Sequence, residues 1–317
     1  MIVRSRAPVR VDFAGAWTDV SYFADPFKGA TLNAAIRMYV TGELELDDEL
    51  HAVFDAQQAS IAGGAEEFQR PERPALSVSY GTPIPAGSGL GTSATLNCVW
   101  LALARREPVA SDDDKMRIAA LAYDVEKTLG IIGGKQDQYA SAVGGINLFE
   151  FSADEVTRTA AKLPAERVRE LEELLVLCYT GQARLSSNIH RNVWGNFRAG
   201  REGTVRALFN LRDSAYEARD ALEQWDLEAF ARILIHQRRW MKELDDSTST
   251  QQIEDLFDLA APEIMGGKPC GAGGGGCILF LARDGGAQER LSKALSEQGL
   301  TVMDVQFDFE GLTLITE

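Results

Sequence analysis

The stretch PIPAGSGLGTSAT at residues 83–95, with glycine at every second position in its centre, most constrains how this chain folds. Alternating residues 75–80 predict a strand entering it, and residues 92–105 predict a helix leaving it, with Thr92 or Ser93 as N-cap. A glycine-rich turn between a strand and a helix presents free N–H groups and a positive dipole end that suit a phosphate. It lacks the lysine of the common P-loop, and such turns also occur without ligand, so this stretch alone leaves phosphate binding open.

Net charge limits the partners available to this chain. Its 317 residues carry a formal charge of −15, with 32 Lys and Arg against 47 Asp and Glu. This excess of acid argues against nonspecific binding to nucleic acid or to anionic membranes. An anionic ligand such as ATP would need local positive charge, and Arg4, Arg6 and Arg10 are one source of it.

Cysteine and histidine are too few and too scattered to predict a Cys/His metal site. The four cysteines contain no CxxC pair, and there are three histidines. We therefore expect reduced thiols and a cytoplasmic protein. No run approaches the roughly 20 apolar residues of a membrane span, and no signal peptide is visible.

The order of predicted elements indicates an α+β fold with two domains, which we place at residues 1–165 and 166–317. The strict alternation VRVDF at residues 9–13 predicts a strand with Arg10 and Asp12 on the face opposite its apolar residues. The other main predicted elements are a helix at 117–129, a strand at 174–181, helices at 203–224 and 226–245, a strand at 276–282, a helix at 286–298, and strands at 301–308 and 311–316.

A second glycine-rich run and two acids also suggest chemistry. GGKPCGAGGGGC at residues 266–277 leads straight into an apolar strand, which favours an ordered loop over a flexible hinge. Phosphoryl transfer to a hydroxyl needs one carboxylate for Mg²⁺ and another to orient the acceptor. Glu126 and Asp137 are candidates. Taken singly, each acid also has a purely structural explanation. Glu126 could form a surface salt bridge, and Asp137 could stabilise a helix N-terminus or pair with Lys135.

Together, and in this order, these segments resemble the GHMP kinases. RAPVRVDFAGAWTDV at residues 6–20 is similar to the family's first motif. PAGSGLGTSA at 85–94 is similar to the second, P-x-x-x-G-L-G-S-S-A, with Thr92 in place of Ser, and GAGGGG at 271–276 is similar to the third. The resemblance implies an ATP- and Mg²⁺-dependent kinase. It also implies an N-terminal ribosomal-S5-domain-2-like domain, a C-terminal ferredoxin-like domain, and an active site in the cleft between them.

The resemblance also implies roles for individual residues. Asp137 would activate or orient the acceptor hydroxyl, and Arg10 would help to hold that aspartate and the transferring phosphoryl group. Ser93 and Glu126 would hold Mg²⁺. The residues implied in ATP binding are Pro85, Gly87, Ser88, Gly89, Leu90, Gly91, Thr92, Ser93, Gly271, Gly273 and Gly274.

The sequence WTD in the first motif resembles the sugar-binding part of the family's sugar kinases. It implies that Asp19, with Thr18 and Trp17, contacts the sugar, although Trp17 also fits a core residue beside the strand. The Glu-His pair of galactokinases is absent. FAGAWTD and GKQDQYASAVGGIN look closer to the heptose 7-phosphate kinases and fucokinases, which phosphorylate an anomeric hydroxyl. Arg184 and Lys268 are candidates to hold the phosphate of a sugar phosphate, or are solvated surface charges.

Other functions stay open beside a sugar 1-kinase that binds a small sugar or sugar phosphate. A GHMP kinase of a non-sugar alcohol would not need Asp19. A non-catalytic sugar sensor of the galactokinase-like fold would not need to keep Ser93, Glu126, Asp137 and Arg10. The fingerprint of a dinucleotide-dependent oxidoreductase is not evident.

Overall fold

The computed structural model describes residues 1–46, 76–85, 87–182 and 186–317, which form two antiparallel sheets with helices packed on them. The strands are β1 (Ile2–Ala14), β2 (Gly29–Leu46), β3 (Leu76–Gly81), β4 (Ile146–Phe151), β5 (Val156–Ala160), β6 (Leu175–Tyr179), β7 (Ile264–Pro269), β8 (Cys277–Ala282), β9 (Thr301–Met303) and β10 (Thr313–Thr316). The helices are α1 (Ser21–Phe27), α2 (Thr92–Arg105), α3 (Asp112–Thr128), α4 (Gln136–Val143), α5 (Ala165–Leu174), α6 (Ser186–Arg198), α7 (Glu202–Gln224), α8 (Leu227–Leu244), α9 (Gln251–Ala260) and α10 (Gly285–Glu297). In these ranges, no helix combines the length and the apolar character that crossing a membrane requires.

The first sheet is built around β1, which is buried on both faces from Ala7 onward. Its strand order among the described residues is β10-β1-β2-β4-β5, with β3 also paired to β2. Phe13, on the apolar face of β1, meets Phe230 of α8 edge to face, with ring centroids 5.4 Å apart. The alternate residues Arg10 and Asp12 are buried too, so β1 carries charged side chains into the interior.

The second sheet, of order β7-β8-β6-β9, takes all its strands from the second predicted domain. The last strand of the chain nevertheless returns to the first sheet, where Thr316 of β10 lies opposite Val3 of β1. One apolar core also includes both Leu32 of β2 and Leu279 of β8. The α+β prediction is confirmed, and the two sheets share a core rather than standing apart.

Helix α2 has the predicted bounds, but its N-cap is Gly91 rather than Thr92 or Ser93. Gly91 has a φ of 78°, a left-handed conformation that glycine adopts without steric cost. No side-chain hydrogen bond from the described residues caps this helix. Its first N–H groups are therefore available to a ligand, because the opening turn of a helix lacks internal acceptors.

Other element bounds differ from the predictions for local reasons. Helix α3 begins at Asp112 rather than at residue 117, because Ser111 and Asp114 form a capping box. Strand β9 ends at Met303, where its pairing with β6 ends, although a strand was predicted to residue 308. Helices α1, α5, α6 and α9 were not predicted.

Candidate active site

The first glycine-rich loop joins β3 to α2, and its backbone requires glycine. Gly87, Gly89 and Gly91 have φ values of 71°, 76° and 78°. A Cβ atom on Gly89 would lie 2.8 Å from the carbonyl oxygen of Cys270, and one on Gly91 would lie 3.0 Å from Cγ of Asp137. A side chain at either position would therefore strain the backbone and displace its neighbours.

The second glycine-rich loop, between β7 and β8, packs directly against the first. The N–H of Cys277 donates to the carbonyl of Ser88 at 2.7 Å. A Cβ atom on Gly276 would lie 2.6 Å from that same oxygen. The N–H of Gly274 donates to the carbonyl of Thr248 at 2.6 Å. These contacts hold the run of glycines as an ordered loop, as predicted, and not as a hinge.

The two loops border a cleft with a cavity volume of about 280 Å³. A second cavity of about 60 Å³ adjoins it, because several residues line both. The residues common to the two cavities are Arg10, Gly134, Asp137, His190, Gly271 and Ala272. The predicted ATP-binding residues that line the larger cleft are Gly87, Ser88, Gly89, Gly91, Thr92, Ser93, Gly271 and Gly273.

Three residues predicted to bind ATP, Pro85, Leu90 and Gly274, do not line the cleft. The side chain of Leu90 lies in the apolar core, and its carbonyl accepts the N–H of Arg10 at 3.2 Å. The carbonyl of Pro85 accepts the N–H of Ser88 at 3.2 Å. The N–H of Gly274 is already bonded as described above. These residues shape the loops, and their contact with ATP stays a prediction.

Asp137 and Arg10 form an ion pair where the two cavities meet. Nε of Arg10 donates to Oδ1 of Asp137 at 2.8 Å, and Nη2 lies 2.6 Å from the same oxygen. Nη1 donates to the carbonyl of Gly89 at 2.6 Å, which ties the pair to the first loop. Burial would lower the pKa of Arg10, but the carboxylates of Asp137 and Asp12 outweigh burial and raise it. The alternative partner, Lys135, donates to a main-chain carbonyl instead.

Asp12, two residues after Arg10 on β1, connects this strand to the second glycine loop. Its Oδ1 accepts the N–H of Gly271 at 2.8 Å. The ammonium of Lys268 pairs with Oδ2 of Asp12 and also donates to its main-chain carbonyl at 3.0 Å. Both side chains are fully buried. Because Lys268 is committed to Asp12 and lines neither cavity, the prediction that it holds an acceptor phosphate is wrong.

Glu126 and Ser93 both line the larger cleft. The carboxylate of Glu126 accepts from Nδ2 of Asn97 at 3.0 Å and from Nε2 of Gln138 at 2.7 Å, so it is held by amides rather than by a surface cation. Burial, and next the nearby carboxylate of Asp137, raise the pKa of Glu126 to about 7, although the two amide hydrogen bonds oppose the shift.

The oxygen donors at this position suit Mg²⁺. Mg²⁺ is commonly held by one or two protein oxygens together with phosphates and waters. The Ser93 hydroxyl and the Glu126 carboxylate are such ligands. A cation beside Glu126 would also relieve the repulsion from Asp137 that raises its pKa. The residues present therefore fit the metal that the resemblance implies.

Asp19 and Trp17 line the smaller cavity. Oδ2 of Asp19 accepts the N–H of Gln136 at 2.9 Å. Burial raises the pKa of Asp19 to about 6 despite this hydrogen bond. The ring of Trp17 packs on that of His190, with centroids 4.5 Å apart, so Trp17 is at once a buried residue and a wall of the cavity.

Two other residues predicted to contact the acceptor have different outcomes. Thr18 is fully buried and does not line the smaller cavity. Its hydroxyl bonds to the carbonyl of Gly15 at 2.8 Å and accepts the N–H of Ala30 at 3.1 Å. These bonds to the backbone of the β1–α1 turn and of β2 occupy the hydroxyl of Thr18, and its contact with the sugar stays a prediction. Arg184 lies outside the described residues.

His190 and Gln136 also line the smaller cavity, and the sequence analysis did not single them out. Gln136 immediately precedes Asp137, and this adjacency was the available signal. His190 lies on α6, far along the chain from Arg10, Asp19 and Asp137. Only the packing of α6 against Trp17 brings it to the site.

A larger cavity of about 1030 Å³ lies along the first sheet, beside β1, β3 and β10. Four of its charged residues form exposed ion pairs, with Arg4 at 2.7 Å from Glu43 and Arg6 at 2.9 Å from Glu310. Neither glycine-rich loop is among its described lining residues. We therefore assign the candidate active site to the smaller cleft, where the loops and the buried ion pair meet.

Comparison with known proteins shows which family the chain is similar to. The sequence matches the family model of the GHMP kinases N terminal domain over residues 59–145 and that of the GHMP kinases C terminal over residues 218–300. The crystal structure of a D-glycero-D-manno-heptose 1-phosphate kinase from Bacteroides thetaiotaomicron has a TM-score of 0.73 and 26% identity, and the match covers 99% of each chain. Lactococcus lactis galactokinase in complex with galactose has a TM-score of 0.70 at 16% identity, which shows a shared fold alone.

Two curated relatives cover most of the chain. The D-glycero-alpha-D-manno-heptose 7-phosphate kinase of Campylobacter jejuni is 30% identical over 98% of this chain and 98% of its own length. The bifunctional fucokinase/GDP-fucose pyrophosphorylase of Arabidopsis thaliana is 26% identical over 92% of this chain and 31% of its own length. The chain belongs to the GHMP kinase family. Within it, the chain groups with the sugar kinases, phosphotransferases that have an alcohol group as acceptor.

Proposed function

We propose that this enzyme transfers the γ-phosphoryl group of ATP to the anomeric hydroxyl of a sugar, with D-glycero-D-manno-heptose 7-phosphate as the leading acceptor. The observation that carries this proposal is the ion pair of Asp137 and Arg10, which lies between a cleft bordered by glycine loops and a small polar cavity. We expect it to act in the cytoplasm, which supplies ATP and keeps its four free cysteines reduced.

The larger cleft would hold ATP. Phosphate oxygens would accept hydrogen bonds from the free N–H groups at the start of α2, where the helix dipole is positive. This arrangement offsets the strongly negative net charge locally and explains how the loop works without a P-loop lysine. Ser93 and Glu126 would hold Mg²⁺, which neutralises charge on the phosphates when bound.

Asp137 would orient the acceptor hydroxyl and take its proton. The hydroxyl oxygen forms a bond to the γ-phosphorus, the bond from that phosphorus to the bridging oxygen of ADP breaks, and the proton passes to the carboxylate. Arg10 would fix the carboxylate and stabilise the negative charge of the moving phosphoryl group. Its three short contacts leave it little freedom to reorganise, which favours transfer in a fixed geometry.

The smaller cavity would receive the reacting end of the sugar. Asp19 would accept hydrogen bonds from sugar hydroxyls, and the apolar ring of Trp17 would pack on a sugar face. The proposed anomeric position is supported by the resemblance to the heptose 7-phosphate kinases and fucokinases, and the absent Glu-His pair argues only against a plain galactokinase.

A neutral sugar such as fucose is the second candidate acceptor, and one observation favours it. Among the described lining residues of the smaller cavity, Arg10 is the only cationic side chain, and it is already bonded to Asp137 and Gly89. The 7-phosphate of a heptose would therefore need a cation from elsewhere, and we propose Arg184 for it.

The test is ADP release with Mg²⁺ and ATP over a panel of acceptors. The panel contains D-glycero-D-manno-heptose 7-phosphate, sedoheptulose 7-phosphate, fucose, galactose, mannose, N-acetylhexosamines, mevalonate and homoserine. We expect turnover on a heptose phosphate or a hexose, with the phosphate on C1 by NMR. Turnover on mevalonate or homoserine alone would overturn the sugar assignment. Nucleotide binding without any turnover would favour a sugar sensor.

A further inference from the structure

We propose that His190 is a specificity-determining residue that donates a hydrogen bond, as a neutral imidazole, to a non-anomeric hydroxyl of the acceptor sugar. This inference rests on the proposed function, since it concerns the acceptor side of the same site. The contact would distinguish acceptors that carry this hydroxyl from those that lack it, in addition to the contacts proposed for Asp19 and Trp17.

The position of His190 is the first observation. It lines both cavities, as do Asp137 and Arg10, so its ring stands at the border between the nucleotide side and the acceptor side. Its ring also packs on Trp17 at 4.5 Å and 39°, which restricts its rotation. A ligand in the smaller cavity would therefore meet a fixed imidazole edge rather than a mobile side chain.

The tautomer of His190 is the second observation. Nε1–H of Trp194, one helical turn further along α6, lies 3.3 Å from Nδ1 of His190. An indole nitrogen can only donate, so Nδ1 must be the accepting nitrogen, and the ring proton is on Nε2. Trp194 is itself fully buried, which holds the donor in place. The group that His190 can offer to a ligand is thus an N–H donor.

The charge of the ring agrees with this role. Burial lowers the pKa of His190 to about 4, so the imidazole is neutral near pH 7. A neutral donor suits an uncharged hydroxyl, and it complements Asp19, which offers an acceptor on the same cavity. Together they would recognise a donor and an acceptor among the sugar's hydroxyl groups.

The experiment compares H190F with the wild type on the best acceptor of the panel and on its single-deoxy analogues. Phe keeps a ring against Trp17 but removes the N–H. We expect the acceptor KM to rise roughly five- to tenfold, the loss typical of one neutral hydrogen bond, and the KM for MgATP to change by less than the acceptor KM. One deoxy analogue should be a poor acceptor for the wild type, yet lose nothing further in H190F. The exposed His236 of α8 provides the matched control, and H236F should behave as the wild type.

Trp194, which donates the hydrogen bond to Nδ1 of His190, provides a second, independent variant. W194F keeps a ring in the core but leaves Nδ1 without its donor, so the ring proton is free to move to Nδ1. The acceptor KM should rise in W194F, by less than in H190F. An unchanged acceptor KM in H190F, or equal sensitivity of H190F and wild type to every deoxy analogue, would overturn the assignment.

Binding measurements distinguish a failure of the proposed kinase function from a failure of the role proposed for His190. Calorimetric binding of the same sugars to wild type and H190F is measured in parallel with turnover. Sugar binding without turnover would overturn the kinase step alone, and the role of His190 would then be decided by the two binding constants. No binding of any sugar would overturn both.

Discussion

The buried pair of Asp12 and Lys268 offers the sharpest test of how this site is assembled. Both side chains have no solvent exposure, and the pair joins β1 of the first sheet to β7 of the second. Replacing Lys268 with Met removes one charge and leaves the carboxylate of Asp12 buried. Removing one partner of a buried ion pair typically costs about 3–5 kcal/mol.

The structure points to the lower end of that range for K268M. Asp12 would still accept the N–H of Gly271 at 2.8 Å and lie 3.8 Å from Nη1 of Arg10, so its charge would be partly compensated. We therefore expect a loss of about 3 kcal/mol in the free energy of unfolding. With an unfolding entropy of about 2.1 cal/mol/K per residue over 317 residues, this corresponds to a fall of about 4–5 °C in Tm.

Urea unfolding of K268M, of the double variant D12N/K268M and of K293M measures this effect. Asn in the double variant keeps the oxygen that accepts from Gly271 but carries no charge, so most of the stability should return. Lys293 forms a long, exposed pair with Glu297 at 3.9 Å, and K293M should leave the unfolding midpoint unchanged. A loss below about 1 kcal/mol in K268M, or a double variant as unstable as K268M, would refute an uncompensated buried charge as the cause.

Two further predictions concern the reaction itself. D137N should lower kcat by at least about 10²-fold and leave the affinity for MgATP nearly intact, as measured by turnover and by nucleotide titration; lost ATP affinity would instead contradict the role given to Asp137. For Asp19, the raised pKa of about 6 means that its carboxyl stays protonated in the folded protein between pH 4, near the ordinary pKa, and pH 6. The contribution of this protonated carboxyl to the stability of the fold is therefore present at low pH and is lost as the pH rises through 6. Since only the ionised carboxylate is a pure acceptor, the acceptor KM should rise as pH falls below 6 in the wild type but not in D19N, and a parallel rise in D19N would exclude Asp19 as the cause.

Much of the donor side could be predicted from sequence because its features are local. The glycine loop, helix α2 and the order of the motifs depend on neighbouring residues and on backbone freedom. The N-cap could not be chosen correctly, because Thr92 and Ser93 are good capping residues and only the loop geometry places Gly91 there. Leu90 stands inside the loop motif, yet its side chain turns into the core, which the motif does not reveal.

The acceptor side was less predictable because it depends on side-chain direction. Thr18 lies between Trp17 and Asp19, which line the smaller cavity, but its own hydroxyl forms hydrogen bonds with main-chain groups. Lys268 was a candidate phosphate clamp, yet the pleat of β7 carries its ammonium inward to Asp12. His190 was not singled out from the sequence, and it reaches the site through the packing of α6.

The sequence by itself determined where the chain needs glycine and where it forms its principal helices, because those demands are set by φ, ψ and local periodicity. Only the tertiary structure decided which charges meet. Arg10 and Asp137 are 127 residues apart, and Asp12 and Lys268 are 256 apart. No local rule brings such groups together. The sheets do so when their apolar faces are buried in one core, and the pairing offsets the cost of burying each charge.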